Sequence, residues 1–181
     1  MDTEVRARRV KLLVFDVDGV LTGGQILFGP DGEALKIFHA HDGLGINAAH
    51  RAGLKTAVIT GRESEMVRRR GAELAITEVC QGARDKIAHL ERLLEKHSLT
   101  ADEVAYAGDD LNDLAVMRRV GLACAVANAA PEVKDAAHYV TGRAGGDGAV
   151  REIVELVLKA QGKWPAVVES FCLPGGGETR Q

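Results

Sequence analysis

The sequence predicts an α/β fold in which a mostly parallel sheet is covered on both faces by helices. Three observations carry this reading. Short apolar runs alternate with helix-length segments along most of the chain. The first run, Leu12 to Phe15, is apolar throughout, as in strands buried on both faces of a parallel sheet. Polar clusters follow the runs, at the strand ends where open α/β sheets bind ligands. The 181 residues suit one domain, and 46% apolar with 27% charged residues is an ordinary globular balance.

The first strand ends in Asp16-Val17-Asp18-Gly19. Strand residues two apart share a face, so the two carboxylates point the same way. Such a pair can bind a hard cation such as Mg²⁺, or divide nucleophilic and acid/base work. Asp and Gly are also ordinary turn residues. Next, residues 23–38 hold two short strand candidates around Gly29-Pro30-Asp31-Gly32, the pattern of a β-hairpin inserted after the first strand.

Lys55 to Thr60 reads as the next strand, with Thr60-Gly61-Arg62 at its end. A helix is expected from about Glu63 to Arg70, then a short strand from Leu74 to Thr77. Ala83 to His97 is a longer helix with Ile87, Leu90 and Leu94 on one face and Lys86 near its start. Glu103 to Ala107 is a strand running into Gly108-Asp109-Asp110, with Asp113 three residues on. A short helix over Leu111 to Val120, a strand over Leu122 to Ala127 and a helix opening at Pro131 follow. His138 to Thr141 is a last short strand, and Gly148 to Ala160 a final helix. The alternation implies right-handed crossovers and a Rossmann-like, three-layer arrangement over residues 1–161. Residues 162–181 contain Pro165, Pro174 and three consecutive glycines, lack periodicity, and are expected to form a flexible tail.

Composition narrows the function. A net charge of −3 and 4% aromatics supply neither the basic surface nor the stacking platform of a nucleic-acid binder. The three cysteines, Cys80, Cys124 and Cys172, are odd in number and lack CxxC spacing, so a reducing cytoplasm is expected. No apolar run approaches the roughly 18 residues of a membrane span, so no membrane partner is expected.

Taken together, DVDGVLT at Asp16–Thr22, the strand AVIT ending at Thr60, Lys86, and GDDLND at Gly108–Asp113 resemble the motifs of the haloacid dehalogenase superfamily of phosphohydrolases. The resemblance spans nearly all of the chain to about residue 160. It implies that Asp16 is a nucleophile forming an aspartyl-phosphate and that Asp18 is the general acid and base. Asp16, Asp109 and the backbone carbonyl of Asp18 would ligate Mg²⁺, with Asp110 or Asp113 orienting its waters. Thr60 and the Gly61 amide would hold the phosphoryl oxygens, and Lys86 would neutralise charge.

The hairpin together with FHAHDGLGI, TGR, QGARDK and AGGDGAVRE resembles the capless branch that hydrolyses 3-deoxy-D-manno-octulosonate 8-phosphate in lipopolysaccharide precursor synthesis. That resemblance implies a homotetramer whose hairpins meet at the subunit interface, with neighbouring subunits covering each site. It also implies that the tail can enter an adjacent site. Asp42, Gly43, Arg62 and Arg70 match substrate-contacting positions, Arg being suited to gripping a carboxylate. His39 and His41 stand where relatives can carry an Asn and an Arg, and His is not always charged at neutral pH. The alternatives are a phosphatase for a nine-carbon ketodeoxynononate 9-phosphate, and a non-catalytic oligomerisation module.

Overall fold

The computed structural model describes residues 2–173. Its strands are β1 (Leu12–Phe15), β2 (Leu27–Gly29), β3 (Gly32–Leu35), β4 (Lys55–Ile59), β5 (Glu78–Cys80), β6 (Val104–Gly108), β7 (Leu122–Ala125) and β8 (Tyr139–Val140). Six of them form one parallel sheet in the order β5-β4-β1-β6-β7-β8. The helices are α1 (Thr3–Arg9), α2 (Ala40–Arg51), α3 (Glu65–Glu73), α4 (Lys86–His97), α5 (Leu114–Met117), α6 (Pro131–Ala136), α7 (Ala149–Ala160) and α8 (Trp164–Cys172).

The all-apolar strands occupy the centre, as a strand buried on both faces must. Leu12, Leu13, Val14 and Phe15 of β1 are completely buried, as is Tyr106 of β6. Phe15 pairs with Val58 of β4 on one side and Ala107 of β6 on the other. That register brings the residues after β1, β4 and β6 out at one edge. The chain runs from β1 through β4 to β5, then crosses back to β6 beside β1. The crevice between β1 and β6 is therefore the topological switch point, where α/β sheets bind ligands.

β2 and β3 form the expected antiparallel hairpin, closed at Gly32, whose φ of 110° favours glycine. The hairpin is separate from the main sheet and leaves Leu27, Phe28, Leu35 and Ile37 exposed.

Three helices were not legible from periodicity. α1 is charged along most of its length. α2 contains Gly43 and Gly45, which are poor helix formers. Gly45 allows close packing on α7, since a Cβ there would lie 3.0 Å from the Arg151 Cα. The third, α8, corrects the expected tail. Trp164 packs against the core, with the Arg151 guanidinium 5.1 Å from its ring centroid, and Val167 is buried. Pro165 sits in the first turn, where proline is tolerated. The final residues, 174–181, lie outside the described residues. The strand expected at Leu74–Thr77 begins instead at Glu78. α3 runs to Glu73, and Ala75, at φ 53°, turns the chain while the Ile76 amide donates to the Gly71 carbonyl at 2.9 Å. Among the described residues, no helix is long and apolar enough to cross a membrane.

Candidate active site

The C-terminal ends of β1, β4 and β6 surround a cavity of about 300 Å³, lined by Asp16, Asp18, Thr60, Gly61, Arg62, Asp109 and Asp110 among others. A larger depression of about 930 Å³ lies at the opposite end of the sheet, among Lys11, Lys55 and Lys163. The two carboxylates there, Asp102 and Glu103, are paired with Arg9 and Lys11, whereas four aspartates line the smaller cavity.

Asp16 leaves β1 with its amide donating to the Ala107 carbonyl at 3.0 Å, which ties it to β6. The chain then makes a wide turn over Val17–Leu21, closed by the Thr22 amide on the Val17 carbonyl at 3.0 Å. Gly19 is required in that turn. Its φ is 99°, and a Cβ would fall 1.9 Å from Oδ2 of Asp109. The turn is backed by the AGGDG segment, where a Cβ on Gly145 would meet the Gly19 carbonyl oxygen at 1.7 Å. Backbone approach this close is the physical use of the glycine-rich motif.

Lys86 begins α4, and Asp85 caps that helix by accepting from the Ala88 amide at 3.1 Å. Its buried ammonium lies 3.1 Å from Asp16 Oδ1 and 2.7 Å from Asp113 Oδ1. The Tyr106 hydroxyl also donates to Asp113 Oδ1, at 2.6 Å, while Asp113 Oδ2 accepts from the Asp109 amide at 2.9 Å. Asp113 thus orients Lys86 and the Asp109 backbone, with both oxygens committed to protein donors. Tyr106 was not legible as a site residue because it reads as an ordinary apolar position within β6.

Burial pushes the Asp16 carboxyl well above its ordinary range, against the attraction of Lys86. Burial, followed by the charges of Asp16 and Asp113, lifts Asp109 to about 7. Lys86 moves upward despite its burial, because Asp16 and Asp113 favour its charged form. Carboxylates that resist ionising side by side are poised for a cation. Carboxylate oxygens of Asp16, Asp109 and Asp113 lie within 4.8 Å of one another. Oδ1 of Asp109 is buried and has no hydrogen-bond partner. With Asp113 already committed to protein donors, the oxygens of Asp16 and Asp109, one of them without a hydrogen-bond partner, fit Mg²⁺.

The remaining expected residues divide. Thr60 is buried at the end of β4, and its carbonyl accepts from the Ala83 amide at 2.9 Å. Arg62 has Nε 3.9 Å from Asp18 Oδ2 and its guanidinium 5.7 Å from the Phe28 ring centroid. Asp110 caps the turn over Leu111–Asp113, accepting from the Leu111 amide at 2.8 Å. Asp42, Gly43 and Arg70 do not line this cavity. The Asp42 carboxylate instead accepts from the Gly148 and Arg151 amides, at 3.3 and 2.8 Å, at the start of α7. Arg70 pairs with Glu73 at 2.9 Å and packs so near Gly43 that a Cβ there would lie 2.5 Å from Nη2. His39 caps α2 through Nδ1, which accepts from the His41 amide at 3.2 Å. Periodicity also gave no hint of Lys36, which follows β3 and reaches Asp18 through the fold.

Comparison with known proteins agrees with this geometry. The profile of the haloacid dehalogenase-like hydrolases matches residues 70–153. The 3-deoxy-D-manno-octulosonate 8-phosphate phosphatase KdsC of Escherichia coli K12 is 48% identical over 162 residues, covering 90% of this chain and 86% of that protein. The corresponding phosphatase of Moraxella catarrhalis, solved with magnesium, phosphate and KDO, is 41% identical with a TM-score of 0.91, covering 93% of this chain and 97% of that one. A probable YrbI-family phosphatase of Pseudomonas syringae is 46% identical with a TM-score of 0.93, covering 96% and 98% of the two chains. With that identity sustained along both partners, and with the acidic cluster at the switch point of the sheet, the chain belongs to the haloacid dehalogenase-like hydrolase family.

Proposed function

We propose that this chain hydrolyses 3-deoxy-D-manno-octulosonate 8-phosphate to the free sugar acid and inorganic phosphate, with Mg²⁺, in lipopolysaccharide precursor synthesis. The observation that carries the reading is the convergence of Asp16, Asp18, Thr60 and Asp109 on one cavity, with the Lys86 ammonium 3.1 Å from Asp16. The named activity of the relatives supports the substrate.

Asp16 attacks phosphorus, and Asp18 protonates the departing sugar oxygen. Asp18 then takes a proton from the water that cleaves the aspartyl-phosphate, by microscopic reversibility. The Thr60 hydroxyl and the Gly61 amide hold phosphoryl oxygens. Lys86 offsets the charge of Asp16 and of the phosphate, while Asp113 and Tyr106 hold its ammonium in place. Held by Asp16 and Asp109, Mg²⁺ would add positive charge where the phosphoryl group develops negative charge. Arg62 lines the cavity and supplies a cation for the sugar carboxylate.

Phosphate release from a panel of eight- and nine-carbon keto-sugar acid phosphates, with Mg²⁺ and with a chelator, tests the reading. The eight-carbon ester is expected to give the highest kcat/KM, with turnover lost on chelation. Preference for an unrelated ester would overturn it.

The working form is a homotetramer in which neighbouring subunits complete the site. Support comes from the hairpin, where Phe28 is 69% and Ile37 67% exposed beside Leu27 and Leu35. Apolar side chains so grouped mark an interaction surface. Phe28→Asp combined with Ile37→Asp is expected to lower the mass seen by sedimentation and to raise KM. An unchanged mass would remove the hairpin from the interface. The three cysteines are free thiols, consistent with a reducing cytoplasm.

A further inference from the structure

Lys36 lies beyond β3 of the hairpin, yet its side chain is only 1% exposed. Its ammonium donates to Oδ1 of Asp18 and lies 2.9 Å from Oε1 of Glu33. The other Glu33 oxygen accepts from the Ser64 hydroxyl. Ser64 caps α3, and its amide donates to the Gln81 side chain at 2.6 Å. Burying an ammonium is costly unless it is paired, and here two carboxylates pair it. The chain Asp18–Lys36–Glu33–Ser64 joins the turn after β1, the hairpin and the segment after β4. Asp18 lines the cavity and Lys36 does not, so Lys36 acts through Asp18.

We propose that Lys36 is a positioning residue for proton transfer: held by Glu33, its ammonium fixes Oδ1 of Asp18, so that Oδ2, 3.9 Å from Arg62 Nε, carries the proton. The inference rests on the reading of Asp18 as general acid and base. In the first step the bond from phosphorus to the sugar oxygen breaks as the Asp16 oxygen bonds to phosphorus. The proton on Oδ2 passes to the departing oxygen, leaving Asp18 as carboxylate. A carboxyl that swings away from that oxygen loses the step without losing the substrate. The hairpin therefore contributes to chemistry as well as to assembly.

The test exploits leaving-group dependence. An alkyl phosphate needs a proton on its leaving oxygen, whereas p-nitrophenyl phosphate departs as a stable phenolate. Lys36→Met is expected to lower kcat on the eight-carbon sugar phosphate about tenfold or more, with KM within about twofold. On p-nitrophenyl phosphate its kcat is expected to stay within about threefold of wild type. Both substrates are read on one preparation, so a reduced folded fraction cancels in the ratio. Asp18→Asn serves as the reference and is expected to show the same dependence more strongly. Glu33→Gln keeps Lys36 but loosens its anchor, and is expected to move the ratio the same way by about threefold. It decides the matter should Lys36→Met fail to fold. Equal losses on both substrates in the Lys36 and Glu33 variants, with the dependence intact in Asp18→Asn, would overturn the role of Lys36 alone. No dependence in Asp18→Asn would overturn the reading of Asp18 and the role of Lys36 with it.

Discussion

Asp16→Asn is expected to reduce phosphate release to background, a loss of at least about 10³-fold, while the protein stays folded. On the proposed mechanism the Asp16 carboxylate forms the covalent intermediate, and an amide of the same shape cannot do so. Folding is expected to survive because burial already disfavours the charged form of Asp16. The Asn side-chain oxygen can still accept from the Lys86 ammonium, which lies 3.1 Å from Oδ1. Phosphate release by the purified variant, with its thermal melt alongside, checks both statements. Turnover above about one hundredth of wild type would move the nucleophile elsewhere.

Asp109→Asn is expected to separate stability from function. The Asp109 carboxyl is raised from 3.8 to about 7, chiefly by burial and then by the charge of Asp16. A carboxyl with a raised pKa in the folded state favours folding while protonated, and that advantage is lost as pH rises between its unfolded and folded values. The metal-free wild type should therefore lose stability between pH of about 4 and about 7. Asn carries no such penalty. The variant should melt with the wild type near the acid end and roughly 5 °C above it beyond neutrality. Saturating Mg²⁺ should reverse the order, stabilising the wild type by mass action and leaving the variant unmoved. Melting curves across pH, with and without Mg²⁺, read all of this. A variant still stabilised by Mg²⁺ to the wild-type extent would exclude Asp109 from the cation site. The same site predicts that a proton competes with the cation, so that binding weakens as pH falls below about 7.

Much of the site was legible because its parts are local. Asp16 and Asp18 follow an apolar run, Thr60 follows another, and Asp109 a third. In a parallel sheet such positions emerge at one edge, so adjacency in space follows from the pattern of strands alone. Helix α2 was not legible, because two glycines weaken its propensity and its packing on α7 sustains it. Likewise α8 reads as an aperiodic tail until Trp164 finds the core.

By itself the sequence determined the sheet, the hairpin and the acidic residues at its switch point, since each depends on contacts within a few residues or on strand order. Only the tertiary structure decided what those residues touch. It committed both oxygens of Asp113 to Lys86, Tyr106 and the Asp109 amide. It turned Asp42 toward the start of α7 and Arg70 toward Gly43 and Glu73, outside the cavity at the ends of β1, β4 and β6. It also carried the Lys36 ammonium, eighteen residues along the chain, onto Asp18. The physical reason is common to all three. A long or charged side chain is satisfied by whichever partners the packed fold brings within hydrogen-bond reach, and no local period records that choice.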